Sequence, residues 1–152
     1  MSKVCAFFGH SILVKCKVNL EKLKEYIKVF ILNDFSSFLI GTHGEFDELC
    51  LSACLELKKE FPHIKIFKVY SNISSLLRDR NYNKNFEQIS YNVEDLHFKQ
   101  QITQTNRFMI DDANTIICYV DTNLTHSGAL SAMNYALKTN KNILNIFKEF
   151  NN

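Results

Sequence analysis

Side chains that can do chemistry gather at three points of this chain, each just past a hydrophobic run. Gly9, His10 and Ser11 follow VCAFF. Gly41, Thr42, His43, Gly44, Glu45, Phe46 and Asp47 follow FSSFLI, and His126, Ser127, Gly128 and Ala129 lie in the loop after TIICYV. Loops that run into helices present free backbone N–H groups and a partial positive charge, which suits a phosphate or carboxylate. Thr42 and Ser127 add hydroxyl donors. The ligand this chemistry implies is a small molecule bearing phosphate or carboxylate. The plainer alternative is a set of ordinary strand-to-helix turns whose glycines serve close packing.

His10, His43 and His126 fall in these same loops. Three imidazoles can hold a metal, one can act as a general base near neutral pH, or each can touch a ligand or face solvent. Asp47, three residues past Gly44, can accept from a ribose or base; equally, it can complement the helix end and tie down its loop. Only three arginines occur among eighteen basic side chains: Arg78, Arg80 and Arg107. The planar guanidinium suits phosphate. Arg78 and Arg80 sit in a Ser/Asn-rich stretch, 71–92, which can fold over a crevice as a lid or remain a solvated loop. Arg107 is expected to pair with Asp111 one helical turn on. Asp111 and Asp112 read as a helix-ending turn rather than an acid pair for catalysis.

The elements that must position these groups alternate between two periods. Strands are predicted at about 3–8, 37–40, 63–70, 115–121 and 142–147, and helices at about 19–32, 45–61, 93–112 and 127–139. Asn19 can cap the first helix and Pro62 stops the second. Continuous apolar strands separated by helices predict an α/β fold, a Rossmann-like doubly wound parallel sheet of five strands in the order 3-2-1-4-5, with helices on both faces. Its switch point, between strands 1 and 4, is where such sheets bind ligands. There the three polar clusters would meet.

Composition narrows the function classes. A length of 152 residues suits one domain, 1–152, and 46% hydrophobic residues, including 13 Phe, can build its core. A net charge of +2 offers no broad electrostatic footprint for nucleic acid or an anionic membrane. The apolar runs are far shorter than a membrane span, and the first residues are strand-like rather than signal-like, so a cytoplasmic protein is expected. Cys5, Cys16, Cys50, Cys54 and Cys118 lack zinc-like spacing and read as reduced core thiols. The chain has only four glycines, against about 7% in average usage. All four stand near predicted strand ends, where a positive φ or a close approach calls for glycine.

Four segments together, FFGH at 7–10, GTHGEFDEL at 41–49, NRFMIDDA at 106–113 and SGALSAMNYALK at 127–138, resemble the SLOG superfamily of Rossmann-like proteins in its YpsA-like branch. The DNA-uptake protein DprA and the Lonely Guy phosphoribohydrolases belong to the same superfamily. The resemblance spans about residues 3 to 147. It implies a nucleotide-related ligand at the strand C-termini, with Asn106 of the Asn-x-x-Met element joining the binding residues, and frequent homodimerisation; no further cofactor and no metal are expected. The departures are informative. Relatives usually carry arginine where this chain has Ser11, and commonly where it has Thr105. In the last glycine loop of the hydrolase branch a threonine and a catalytic glutamate stand where this chain has Ala129 and Ala132. The expectation is therefore a non-catalytic nucleotide-binding or sensor module. The alternatives are a nucleotide N-glycosidase or phosphohydrolase working through Asp47, Glu45 or His10, and a homodimeric interaction scaffold.

Overall fold

The computed structural model describes residues 2–11, 19–79, 84–124 and 127–150. Strands β1 (Lys3–Gly9), β2 (Phe35–Ile40), β3 (Lys65–Tyr70), β4 (Glu87–Ser90), β5 (Thr115–Tyr119) and β6 (Asn142–Asn145) form one parallel sheet. Helices α1 (Leu20–Leu32), α2 (Glu45–Glu60), α3 (Ile73–Arg78), α4 (Phe98–Asp112), α5 (Gly128–Lys138) and α6 (Phe147–Phe150) connect or follow them.

The central strands are apolar on both faces because both faces are covered. Cys5 and Phe7 of β1 enter one core with Phe38 and Ile40, while Ala6 and Phe8 enter a second core with Leu39. The period-two alternation of strand side chains distributes them this way. Helices α1 and α2 close the first core: Leu23, Ile27 and Ile31 recur at four-residue spacing, and Phe46, Cys50, Cys54 and Leu57 at spacings of four and three. Helices α4 and α5 close the second, through Met109, Ile110, Ala132 and Ala136. The side chain of Asn19 caps α1 by accepting from the Glu21 N–H at 2.9 Å.

The sheet corrects the predicted topology. It has six strands in the order β4-β3-β2-β1-β5-β6, not five in the order 3-2-1-4-5. The five predicted strands keep their mutual order; β4 is added outside β3. The sequence Glu87-Gln88-Ile89-Ser90 has too little apolar character to announce a strand, and its short edge position needs little. The stretch 71–92 is accordingly not irregular throughout, since it also holds α3, whose Asn72 side chain accepts from the Ser75 N–H. Helix α4 starts at Phe98, later than predicted, because a turn closed by Leu96 N–H on the Val93 carbonyl precedes it. Residues beyond Asn145 turn into the short α6 rather than extending the last strand.

No described glycine lies in the left-handed region. Among the described residues the left-handed positions are Asp34, Asn92 and Asn140, residue types whose short polar side chains tolerate that region. No helix among the described residues is long and apolar enough to cross a membrane.

Candidate functional site

The chain reverses its direction of winding between β1 and β5, and the loops leaving β1, β2 and β5 enclose a crevice of about 440 Å³. Phe7, Phe8 and Gly9 line it from β1, followed by His10 and Ser11. Gly41, His43 and Asp47 form one side; Ser127, Gly128 and Ala129 form the other, with Asn106 of α4 between them. All of these but Phe7 and Phe8, ten in number, are residues expected from the sequence. Ile102 and Leu124 also line the space and were not anticipated. Ile102 precedes Asn106 by four residues on the same helix, so helical spacing alone could have found it.

Other expected residues lie elsewhere. Phe46 is fully buried and faces the core. Its ring stacks on Tyr119 at 5.7 Å between centroids, and Tyr119 meets Phe147 edge-on at 5.0 Å, so this aromatic ladder supports the loops from within. Thr42 lines a neighbouring cavity instead. Glu45 is exposed. Arg78 is exposed at the end of α3 and donates to the Ser75 hydroxyl at 3.3 Å. Arg80 and His126 lie outside the described residues, as does Cys16.

The glycines act by permitting close approach. A Cβ on Gly9 would come 2.3 Å from the Phe46 ring, and one on Gly44 would come 2.3 Å from Cα of Ser11. At Gly41 it would meet Asp47 Oδ2 at 3.0 Å; at Gly128 it would meet nothing. Helix α2 thus docks its first turn directly on the loop leaving β1, where the Glu45 N–H donates to the Ser11 carbonyl at 2.9 Å. Helix α5 brings its positive end to the crevice, where Ser127, Gly128 and Ala129 line it, while α2 contributes Asp47. The cap of α2, Gly44, makes no side-chain hydrogen bond, whereas the Ser127 hydroxyl at α5 accepts from the Leu130 N–H at 3.0 Å.

His10 is held on both sides of its residue. Its backbone N–H donates to the Tyr119 carbonyl at 3.3 Å, and the Asp121 N–H donates to its Nε2 at 2.8 Å. A backbone N–H can only donate, so Nε2 carries the lone pair and the ring proton sits on Nδ1. Burial lowers the ring's pKa, with the Asp121 carboxylate opposing that effect. His10 therefore offers a ligand an Nδ1–H donor, and its basic nitrogen is already engaged. Asp47 Oδ2 accepts from the His43 N–H at 3.0 Å. Burial raises the Asp47 carboxyl to about 6, against the pull of that bond and with a smaller push from Glu48. Burial also lowers the His43 imidazole.

The remaining candidates have structural partners. Arg107 lies over the Tyr135 ring at 5.2 Å, and the Tyr135 hydroxyl donates to Asp111 at 2.8 Å, so the ring mediates between the two charges expected to pair directly. Tyr91 donates to Asp112 at 2.8 Å. Thr105 is buried and its hydroxyl has no partner among the described residues. Cys5, Cys50, Cys54 and Cys118 are free and buried, and burial raises their thiols, that of Cys118 to about 12. Among the described residues no three His, Cys, Asp or Glu side chains are grouped so as to hold a metal ion. No protein-family model matches the chain, and no curated protein matches it in sequence.

Proposed function

We propose that the protein binds a nucleotide or nucleotide-derived small molecule in the crevice between β1 and β5, as a ligand-binding or sensor module without catalysis. One observation carries this reading: two helices, of 16 and 11 residues, begin at the same crevice, on either side of the end of β1. The Gly128 and Ala129 N–H groups at the start of α5 line it and suit a phosphate, whereas the Glu45 N–H of α2 is already given to the Ser11 carbonyl. The Nδ1–H of His10 is a further donor, the Asn106 amide can read a base or sugar, and Ile102 and Leu124 offer apolar surface to a ring. The SLOG resemblance supports the same ligand class. Against catalysis stand Ala132, which carries no carboxylate and packs into the core, and the engaged Nε2 of His10. A glycosidase needs a carboxylate beside the oxocarbenium-like centre.

Thermal-shift measurements with nucleotides, ADP-ribose derivatives and cyclic dinucleotides test the reading. A true ligand at a hundredfold excess over its Kd stabilises by about 2.7 kcal/mol, easily read as a rise in Tm. No stabilisation by any member of the panel would sink it.

The second reading is an N-glycosidase or phosphohydrolase that uses Asp47. The observation favouring it is that carboxyl's displacement to about 6, close to where proton exchange is efficient at neutral pH. Product release from nucleoside monophosphates, abolished by Asp47→Asn, would support it; inactivity across a broad substrate panel would remove it.

A further inference from the structure

A groove of about 480 Å³ follows helix α5 where α4 packs beside it. On α5 its lining is polar. Ser127, Ser131, Asn134 and Lys138 recur at spacings of four, three and four, which is one face of a helix. From α4 comes Arg107, which lies over the Tyr135 ring at 5.2 Å. The Tyr135 hydroxyl donates to Asp111 at 2.8 Å, so the ring that carries the guanidinium is itself held in place.

Solvated helix faces commonly carry lysine and arginine, and Lys138 also complements the negative end of α5. Arg107 has no such explanation, because it lies away from both ends of α4. A ring contact takes one face of the guanidinium and leaves its N–H edge for other partners. Among the described residues that edge has no hydrogen-bond or ion-pair partner, and Lys138 forms no ion pair. The Ser131 hydroxyl and the Asn134 amide make no side-chain hydrogen bond to a described residue either. The nearby Asp111 carboxylate is engaged by Tyr135, and Lys141 reaches the Asp111 carbonyl at 3.2 Å.

Two unpartnered cations beside spare hydroxyl and amide groups complement carboxylates. Arginine and tyrosine are also the side chains that most often dominate protein–protein contacts. From Ser127 to Lys138 the groove runs roughly 16 Å, the reach of about five residues of extended chain. We infer that this groove docks an acidic peptide segment of a partner protein, one carboxylate forking onto Arg107 and a neighbouring one meeting Lys138. A second copy packing this face on itself would set both cations against their own images, which opposes that occupant. A nucleic-acid strand calls for a longer basic track, and the chain's net charge is only +2. Docking here is independent of what the crevice binds.

Fluorescein-labelled hexaglutamate, titrated into the full chain and followed by anisotropy and amide NMR, is the test. It is expected to bind and to move the Ser131, Asn134 and Tyr135 amides while leaving those of Gly9 and His10 in place. Hexaglutamine at the same concentration should not bind. Arg107→Gln should weaken hexaglutamate at least about tenfold. Arg107→Lys should weaken it nearly as much, because lysine keeps the charge but loses the planar fork. Lys138→Gln should cost about threefold, as an exposed charge pair does. Both residues are exposed, and an unchanged Tm would show that the variants fold. Equal affinity of wild type and Arg107→Gln, shifts confined to residues outside α4 and α5, or no binding of hexaglutamate at all would each overturn the docking site. Tighter binding of oligouridylate would make the groove a nucleic-acid surface instead, and self-association abolished by Arg107→Gln would make it a contact between copies; either result also overturns the peptide reading.

Discussion

Helices α2 and α5 both begin at the crevice, and they are anchored by different means. The first turn of α2 is held from outside: its Gly44 cap has no side chain to offer, and the Glu45 N–H reaches across to the Ser11 carbonyl. The first turn of α5 holds itself, through the Ser127 hydroxyl and the Leu130 N–H. The glycines divide along the same line. A side chain on Gly44 would drive into the Ser11 backbone, and one on Gly9 into the Phe46 ring, while Gly128 borders open space. Packing explains the glycines on the α2 side. It does not explain Gly128, where a helix start would accept alanine at no steric cost. Gly128 therefore leaves room in the crevice that no described protein atom fills.

That contrast can be broken by experiment. Gly44→Ala and Gly9→Ala should cost the most, about 3 kcal/mol each, because backbone or a locked aromatic ring must shift. Urea unfolding would read this as a large fall in midpoint, and wild-type midpoints would mean that the close docking of α2 on the loop after β1 is not required.

Asp47→Asn should come next, with the opposite sign. The fold raises this carboxyl from 3.8 to about 6, so it favours the protonated form. The wild-type stability it supports is complete below pH 3.8 and is lost as pH rises through 6. The variant should therefore be more stable than wild type at pH 8, by up to about 3 kcal/mol, and the gap should close below pH 4. Parallel stability curves across that window would show that Asp47 is not the buried acid described. His10 works the other way: its lowered pKa makes its contribution complete above 6.5 and lost as pH falls below that value.

Ser127→Ala should cost about 1 kcal/mol, the usual value of an N-cap, and a null effect in chemical denaturation would mean that α5 does not depend on its own cap. Gly128→Ala should have the smallest effect on stability, a gain of up to about 0.5 kcal/mol from reduced chain entropy, together with weaker ligand binding. A loss comparable to that of Gly44→Ala would erase the distinction between the two loops.

Most of the fold was legible because its local signals agree with its tertiary demands. Leu23, Ile27 and Ile31 recur at the period of a helix buried on one side, and Asn19 stands where a cap must. The central strands read as unbroken apolar runs because helices cover both their faces. β4 was not legible, since an edge strand of Glu87-Gln88-Ile89-Ser90 takes its order from pairing with β3 rather than from its own side chains. Of the residues that line the crevice, Gly9, Gly41, Gly128, His10 and Asp47 could be named from their loops, and Asn106 from the resemblance. The fate of neighbouring residues could not. Phe46 turns into the core one position before Asp47 lines the crevice, and Thr42 faces the neighbouring cavity.

The sequence by itself determined the alternation of strands and helices, the mutual order of five strands and the end of the sheet at which polar loops collect. These follow from periodicity, from caps and from the handedness of parallel crossovers, all of which act over short stretches of chain. Tertiary structure alone decided which loop residues face a cavity, that His10 surrenders Nε2 to a residue 111 positions away, and that Lys68, Tyr70 and Asp79 meet behind the crevice. Those outcomes depend on distances between segments far apart in the chain, and such distances are set by the packing of helices onto the sheet.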